Sequence, residues 1–339
     1  MIIQVENVSK GLRLDVFLSG QKIPAAPSRS IVQKIIQLGW VSMKRPGERS
    51  FHVTRTASLK LQGTETIAVN EPETRPRPAP SGPEPKIIME NEHFFILDKP
   101  SGLLTHPASS LAFGMPAQAA DKLGVFRDPS VLSWLMERFS FIENLPRRGI
   151  VHRLDRATSG ILLVAKTERS YWGLTKLFSN RLMKKTYLAL AAGCPENNIL
   201  IDLPLLKRYQ KTSVRVVAGH PGGQEAQTEI KILKSYDWAS FLEVSPITGR
   251  THQIRVHLAS LGHPILGDPI YGKRNSQSII KPSALSPQPF SRLMLHAWKL
   301  RFSYPAGTAE QLFQSPLPDD FTLEYQMHLQ DQPGSYLVK

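Results

Sequence analysis

The alternation of apolar and polar positions along the chain predicts strands more often than helices. The segment "KIIMENEHFFILDKP" predicts a hairpin, with strands at 86–89 and 93–98 and a turn at Asn91. The apolar run "GILLVAKT", which begins at Gly160, predicts a buried strand. Further strands are predicted at "KKTYLALAAG", "TEIKILKSY", "SFLEVSPIT" and "LHAWKLRFSYP".

Apolar residues three and four positions apart predict an amphipathic helix near the N-terminus. The segment "PSRSIVQKIIQLGWV" predicts a helix that begins at Ser28 or Ser30 and ends near Gly39. Its inward stripe is expected to contain Ile31, Ile35 and Ile36. Its polar side is expected to contain Arg29 and Lys34. The following segment, "SMKRPGERSFHV", predicts a basic turn that leads into a strand.

Later segments with the same repeat predict helices at "SVLSWLMERF", "ERSYWGLTKLFSNRLM" and "THQIRVHLASLG". The last of these is expected to be capped by Thr251 and closed by Gly262. The inward residues of the second helix are expected to be Trp172, Leu174, Leu177 and Phe178. Those of the third helix are expected to be Ile254, Leu258 and Leu261. Strands with interspersed helices predict an α+β fold, with a mixed, largely antiparallel central sheet and flanking helices.

A proline-rich segment divides the chain into a small and a large part. Residues 71–85, "EPETRPRPAPSGPEP", contain six prolines, which is typical of a semi-rigid linker. We therefore expect a small α+β domain at 1–70, a larger domain at 86–327 and a tail at 328–339. Residues 108–132 are expected to form an insertion in the larger domain.

The charge balance favours a polyanionic partner. The chain has 339 residues, with 42 Lys+Arg against 28 Asp+Glu and a formal net charge of +14. Such an excess of cations suits a phosphate backbone, because binding releases condensed counterions. The single cysteine, Cys194, excludes an intrachain disulfide, and we expect neither a secretory nor a membrane-spanning segment. We expect a cytoplasmic protein.

Several kinds of site lack their motifs in this sequence. There is no G-x-G-x-x-G fingerprint, no Walker A loop and no G-x-S-x-G elbow. His252 and His257 are five positions apart, so a helix would not direct both at one metal ion. A glycosidase needs two opposed carboxylates, whereas Glu243 and Asp268 lie in segments interpreted as structural. We therefore expect neither a cofactor nor a metal.

Three ordered motifs resemble the pseudouridine synthases of the RluA class. "GIVHRLDRATSGILLVAKT" resembles the family's H-R-L-D segment and T-S-G turn, and "KKTYLALAAG" resembles its K-x-Y-x-A strand. "PITGRTHQIRVHLASLGHPILGDPIYG" resembles its third motif. Supporting matches extend the resemblance over roughly residues 86–322. The segments "GLRLDVFL" and "SRSIVQKIIQLGWV" are similar to the small RNA-binding domain, named after a ribosomal protein, that many of these synthases carry.

The resemblance implies the pseudouridine synthase fold and an isomerisation of uridine within RNA that needs no cofactor. It identifies Asp155 as the catalytic aspartate, Arg255 as the cation that pairs with it, and Tyr187 as the residue that stacks beneath the flipped base. Tyr187 is also expected to take the proton from carbon 5. The sequence leaves open whether Asp155 attacks the sugar as a nucleophile or removes a proton from it.

RNA contacts are predicted at several cationic residues. His152 and Arg153 are placed where a side chain could enter the space left by a flipped base. Phosphate contacts are predicted at Lys184, Lys185, Arg147 and Arg148, and also at Lys207 and Arg208. In the small domain they are predicted at Arg29 and Lys34. For each of these residues, a solvated charge or a structural histidine is the alternative.

The sequence leaves the target and two rival functions open. Ribosomal RNA is the expected target, with tRNA as the alternative. One rival is an RNA-binding assembly factor that keeps the fold without activity, and the other is a phosphoesterase that uses His152 and Asp155. We expect a monomeric protein that binds RNA and does not bind a membrane.

Overall fold

The chain folds into two units, which a computed structural model describes for residues 1–21, 23, 26, 28–70, 82–107, 128–196, 198–209, 214–236, 238–272 and 290–319. The first unit comprises Met1–Gly82 and His106–Glu143, and the second comprises Pro83–Thr105 and Asn144–Lys339. Residues 71–81 of the expected linker, 108–127 of the expected insertion and the expected tail lie outside the described residues. The predicted domain boundaries therefore stay a prediction.

The N-terminal part of the first unit is a small α+β arrangement. Its four strands form an antiparallel sheet in the order β1-β4-β2-β3, with bounds β1 Ile2–Gln4, β2 Val41–Lys44, β3 His52–Val53 and β4 Thr66–Val69. The helices of the unit are α1 Leu14–Ser19, α2 Arg29–Gln37 and α3 Val131–Arg138. Both predicted helices of this unit, α2 and α3, are confirmed.

Helix α2 has the predicted face. Ile31, Ile35 and Ile36 are buried together with Val32, whereas Arg29 and Lys34 are exposed. The helix begins after Ser28, whose hydroxyl pairs with that of Ser30 rather than with the backbone. Gly39 follows the helix with φ of 82°, a conformation that glycine adopts without strain.

The second unit is built on a nine-stranded sheet with the order β5-β6-β7-β14-β8-β13-β12-β9 and β15 paired to β14. Only the β7–β14 pair is parallel among the described strands, so the predicted mixed, largely antiparallel sheet is confirmed. The strands of this sheet are β5 Lys86–Glu90, β6 Phe94–Lys99, β7 Ser159–Ala165, β8 Lys184–Ala192, β9 Ile199–Asp202, β12 Gln227–Ser235, β13 Ala239–Pro246, β14 Leu295–Phe302 and β15 Gln311–Gln314. A separate hairpin consists of β10 Leu205–Tyr209 and β11 Val214–Ala218.

Two helices pack on this sheet through apolar side chains. Helix α4, Glu168–Ser179, packs Tyr171 and Leu174 against Phe94 and Phe302. The prediction that Trp172 points inward is wrong, because 56% of it is exposed and its indole donates to Glu168. Its neighbour Tyr171, about 100° away around the helix, takes the buried position.

Helix α5, Gln253–Ser260, packs Ile254 and Leu258 into the core formed by β8, β13 and β14. Two details of its prediction are wrong. Leu261 follows the last helical residue and is 37% exposed. The residue before the helix is His252 rather than Thr251, and its backbone is left-handed, with φ of 55°. Among the helices that the structure describes, none has the length and apolar content needed to cross a membrane.

Candidate active site

The loop 151–158, which precedes β7, carries Asp155 and is fixed by hydrogen bonds to residues on both sides of it. The hydroxyl of Thr105 donates to the carbonyl of Leu154 over 2.9 Å and accepts from the amide of Leu154 over 3.1 Å. The amide of Thr158 donates back to the carbonyl of Asp155 over 3.1 Å, which closes a turn. Every residue of β7 is buried, so the strand anchors the carboxylate at its start.

Gly160, in the predicted T-S-G turn, allows β7 and β14 to meet directly beside this loop. A Cβ atom at Gly160 would lie 2.2 Å from the carbonyl oxygen of Ala297, and φ is 109°. No other residue fits both the space and the backbone conformation. The glycine is therefore required for the parallel strand pair next to Asp155.

Lys99 supports the same loop from within the protein. Its side chain is fully buried at the end of β6, and its ammonium donates to the carbonyls of Pro100, Leu103 and Arg156 over 2.8–3.2 Å. Burial lowers the pKa of Lys99 to about 7, although the negative charge of Asp155 acts in the opposite direction. Sequence reasoning missed this residue, even though "LDKP" belongs to a matched segment.

Asp155 and Arg255 form an ion pair, as the resemblance implies. Nη1 of Arg255 donates to Oδ2 of Asp155 over 3.0 Å, and the side chains are 4% and 20% exposed. Nε and Nη2 of the same guanidinium donate to the two oxygens of Asp268 over 2.8 and 2.9 Å. Asp268, which lies in a segment interpreted as structural, therefore holds the cation that faces Asp155.

The charges of this three-residue cluster stabilise each other. Burial alone would raise the pKa of Asp268, but the bonds from Arg255 and from the amides of Tyr271 and Ile270 lower it. Burial alone would lower the pKa of Arg255, but the bonds to Asp268 and Asp155 raise it. The guanidinium therefore stays charged in a nearly dry environment and keeps a fixed orientation towards Asp155.

The start of α5 positions Arg255 relative to the sheet. Gln253 accepts through Oε1 from the hydroxyl of Thr248 and from the amide of Arg250, over 2.7 and 2.9 Å. Its Nε2 donates to the carbonyl of Gln227 and to the hydroxyl of Thr228. Two of these bonds attach the helix start to β12 and the other two attach it to the loop after β13, so the position of Arg255 is fixed relative to the sheet.

A cavity of about 540 Å³ opens over the ion pair. It is lined by Asp155, Tyr187, Lys185, His252 and Arg255, together with apolar and loop residues. Tyr187 lies half-buried on β8, and burial, followed by the charge of Asp155, raises the pKa of its phenol above the usual value. The three predicted catalytic residues thus meet in one cavity. Their roles stay a prediction.

The two predicted RNA contacts that precede Asp155, His152 and Arg153, line the same cavity but have different surroundings. Arg153 is exposed at the cavity. His152 accepts the amide hydrogen of Leu163 at Nε2 over 2.9 Å, and its ring lies 4.7 Å from that of Phe178. These contacts match the structural alternative for His152. Its contact with RNA stays a prediction.

The predicted phosphate-binding residues of the second unit are spread around β8 and two neighbouring segments. Lys184 pairs with Glu310 over 3.1 Å, and Lys185 donates to the carbonyl of Thr248 over 3.1 Å. Burial lowers the pKa of Lys185 to about 8. Arg147 and Arg148 both have left-handed backbones, with φ of 46° and 54°, and Lys207 and Arg208 are exposed on β10.

The predicted residues of the small domain also differ from one another. Arg29 donates through Nε and Nη2 to the buried carboxylate of Asp15, which also accepts from Arg13 and Gln33. Lys34 is exposed on the next turn of α2. In the part of the chain that the structure describes, no group of three His, Cys, Asp or Glu side chains could hold a metal ion.

Comparison with known proteins connects this geometry to one family. Residues 93–260 match the family model described as RNA pseudouridylate synthase. A ribosomal large subunit pseudouridine synthase D from Nitrosomonas europaea is 36% identical over 91% of this chain and 82% of its own length. The synthase D of Escherichia coli K12 is 33% identical over 77% of this chain and 76% of its own length.

A solved structure agrees with these matches. That of human RNA pseudouridylate synthase domain containing 4 covers 72% of this chain and 92% of its own, with 25% identity and a TM-score of 0.53. The fold class and the resemblance inferred from the sequence are both confirmed. The chain belongs to the RNA pseudouridylate synthase family.

Proposed function

We propose that the protein converts uridine to pseudouridine in the RNA of the large ribosomal subunit, with Asp155 as its catalytic carboxylate. The observation that carries this proposal is the Asp155–Arg255 ion pair in the wall of the 540 Å³ cavity. Both residues lie within the segment that matches the family model. The choice of ribosomal RNA rests on the names of the relatives from Nitrosomonas europaea and Escherichia coli.

The reaction requires one carboxylate at the sugar and no net change of atoms. The bond between N1 of uracil and carbon 1′ breaks, the base turns, and carbon 5 bonds to carbon 1′. The proton of carbon 5 is lost and N1 gains one, so the product is an isomer. An ionised Asp155 can serve as nucleophile or as base at the sugar, and Arg255 donates to one of its oxygens over 3.0 Å.

Tyr187 and the cationic rim complete the proposed site. The ring of Tyr187 stacks beneath the flipped base, and its oxygen takes the proton from carbon 5. The target leaves its stack at a cost of a few kcal/mol. Arg153 and His152 occupy the space that the flipped base leaves in the RNA. The phosphate backbone of the RNA is contacted by Lys184, Lys185, Arg147 and Arg148.

Release of tritium from RNA labelled at carbon 5 of uracil tests the activity directly. We expect release by the wild-type protein and none by Asp155→Asn, which keeps the size of the side chain. Asp202→Asn, an exposed carboxylate on β9 outside the cavity, is the matched control and should match the wild type. Binding without release in the wild type would instead support an assembly factor, and chain cleavage would support a phosphoesterase.

The target RNA is tested by mapping pseudouridines in total RNA from a strain that lacks the protein. Loss of one or more sites in large-subunit ribosomal RNA, restored by the wild-type gene but not by the Asp155→Asn gene, supports the proposal. Loss of tRNA sites alone would overturn the choice of ribosomal RNA while leaving the activity intact.

A further inference from the structure

His252 lies beside Asp155 in the wall of the same cavity. Nε2 of His252 is 3.8 Å from Oδ2 of Asp155, and the ring lines the cavity. The left-handed backbone of His252, immediately before α5, directs the ring there. This histidine was considered in the sequence only as a metal ligand.

The hydroxyl of Tyr271 determines which nitrogen of His252 carries the proton. The amide of Val216 donates to the hydroxyl oxygen of Tyr271 over 3.1 Å, and that oxygen lies 2.9 Å from Nδ1 of His252. Over the described ranges, Nδ1 is the one acceptor within hydrogen-bond distance of this hydroxyl. A phenol has a single proton, and we assign it to the bond with Nδ1, which leaves Nδ1 with a lone pair.

The proton of the neutral imidazole is therefore on Nε2, which faces Asp155. Burial lowers the pKa of His252, and the positive charges of Arg255 and Arg153 act in the same direction. The negative charges of Asp155 and Asp268 oppose this shift without reversing it. The ring is thus a neutral donor near neutral pH.

Arg255 and His252 both lie next to the same oxygen of Asp155. Arg255 donates to Oδ2, and Nε2 of His252 lies 3.8 Å from the same oxygen. No hydrogen bond to Oδ1 occurs in the residues that the structure describes. Catalytic hydrogen bonds are often long before substrate binds and shorten in the complex, and a movement of under about 1 Å would complete this one.

We infer that His252 is a positioning residue for Asp155: its Nε2–H, fixed by Tyr271, holds Oδ2 together with Arg255 and leaves Oδ1 to react at the ribose. This inference rests on the proposed function. It holds equally for a nucleophilic and for a basic Asp155, because either role needs one oriented oxygen.

Two substitutions of His252 separate positioning from backbone structure. The amide nitrogen of Gln can occupy the place of Nε2, whereas that of Asn reaches only the place of Nδ1. Asn, however, tolerates the left-handed backbone better than Gln. A purely structural role therefore predicts that His252→Asn is the milder change, and positioning predicts the opposite.

We expect His252→Gln to keep kcat within about threefold of wild type, and His252→Asn to lower it by about tenfold or more. KM for the RNA should stay unchanged in both variants, because the contact acts through Asp155. His263→Asn, a half-buried histidine that bonds the carbonyl of Ala192 and lies outside the cavity lining, is the matched control. Wild-type kcat in His252→Asn, or a greater loss in His252→Gln, would overturn the inference.

The tautomer is tested independently of activity by NMR of protein labelled with ¹⁵N-histidine. We expect the His252 signals, identified by their loss in His252→Asn, to show a protonated Nε2 and an unprotonated Nδ1. In Tyr271→Phe the Nδ1-protonated form should gain population. A wild-type ring protonated at Nδ1 would contradict the inference even in an active enzyme, whereas absence of tritium release by the wild type would contradict the proposed function.

Discussion

Arg255 and Asp155 are 100 residues apart in the sequence and are joined by a 3.0 Å hydrogen bond from Nη1 to Oδ2. The bond depends on a second carboxylate, because Asp268 accepts from the other edge of the same guanidinium. Arginine presents its donors in a planar fork, so fixing one edge also fixes the direction of the other. The orientation of Arg255 towards Asp155 is thus set from the buried side.

Asp268→Asn should therefore reduce both stability and activity. The substitution keeps the size of the side chain but leaves a buried guanidinium with one carboxylate instead of two. Breaking a buried ion pair costs about 3–5 kcal/mol, and we expect a decrease in the free energy of unfolding approaching that range. The rate of tritium release should decrease by about tenfold or more, because Arg255 loses its fixed direction. Urea unfolding and single-turnover kinetics measure the two effects.

The pH dependence of this stabilisation follows from the pKa of Asp268, which is lowered in the folded protein. The contribution is fully present above the unfolded pKa of about 4 and is lost as the pH falls through the folded value. The difference in unfolding free energy between wild type and Asp268→Asn should therefore shrink in strong acid. Asp202→Asn, on the exposed end of β9, should change stability by less than about 0.5 kcal/mol.

Lys99 should make the stability of the protein increase with pH above neutrality. Its pKa is lowered by burial to about 7, whereas the unfolded value is about 10.4. Between these values the unfolded chain binds more protons than the folded one, so the free energy of unfolding rises with pH. Lys99→Met removes this term. Urea unfolding at pH 7 and pH 9.5 measures the free energy of unfolding of both proteins. Between these two pH values, the value for the wild type should rise relative to that for Lys99→Met.

One result of this comparison between pH 7 and pH 9.5 would contradict the prediction for Lys99. A difference that stays constant from pH 7 to pH 9.5 would mean that the three carbonyl acceptors of Lys99 keep its ammonium charged throughout that range. The loop 100–105 and the backbone at Arg156 both lose a donor in Lys99→Met, so slower tritium release is expected at either pH.

Local patterns predicted β5–β8, β12–β14 and the helices α2–α5, because burial repeats every two or about 3.6 residues. They did not predict α1 or shorter strands such as β1, β9 and β15. They also did not predict which of two adjacent large aromatic residues lies inward. Tyr171 is buried and Trp172 is exposed, although either residue would suit a buried position of α4. Leu261 continues the apolar spacing of α5, but the helix ends at Ser260 and the chain then turns away.

The site was only partly predictable for a different reason. The motifs identified Asp155, Tyr187 and Arg255 through the resemblance, but no local pattern shows which distant side chain orients them. Asp268 and Lys99 are charged residues, which are expected at the surface, and each is buried because three or more partners surround its charge. Such pairing depends on the tertiary fold rather than on sequence spacing.

Tyr187 should contribute through both its ring and its hydroxyl. Tyr187→Phe keeps the ring for stacking but removes the proton acceptor, and we expect a decrease in kcat of about 100-fold, typical for loss of a general base. Tyr187→Leu also removes the flat ring and should additionally weaken binding of RNA. Single-turnover tritium release and RNA-binding titrations measure these two effects separately.

A phenylalanine variant with wild-type kcat would exclude the proton transfer and leave only stacking. The raised pKa of Tyr187 keeps its phenol protonated at neutral pH, so a proton transfer to its oxygen has to use the phenolate fraction. If the phenolate is the acceptor, the rate of proton release from carbon 5 should instead rise with pH in the wild type and lose that dependence in Tyr187→Phe.

Lys34 and Arg29 lie on the same helix but should respond differently to substitution. The exposed Lys34 is predicted to contact a phosphate, so Lys34→Ala should weaken binding of ribosomal RNA without changing stability. Each lost phosphate contact lowers the slope of log K against log salt by about 0.7–0.9. Arg29→Ala removes a partner of the buried Asp15, whose bonds to Arg13 and Gln33 remain, and should cost about 1 kcal/mol of stability.

Fluorescence anisotropy with an RNA fragment at several salt concentrations, together with urea unfolding, separates these two effects. A Lys34→Ala variant with an unchanged salt slope would show that α2 does not contact phosphate. An Arg29→Ala variant that loses salt slope but not stability would show that Arg29 contacts phosphate and that its bond to the buried Asp15 contributes little to folding, since the bonds of Asp15 to Arg13 and Gln33 remain.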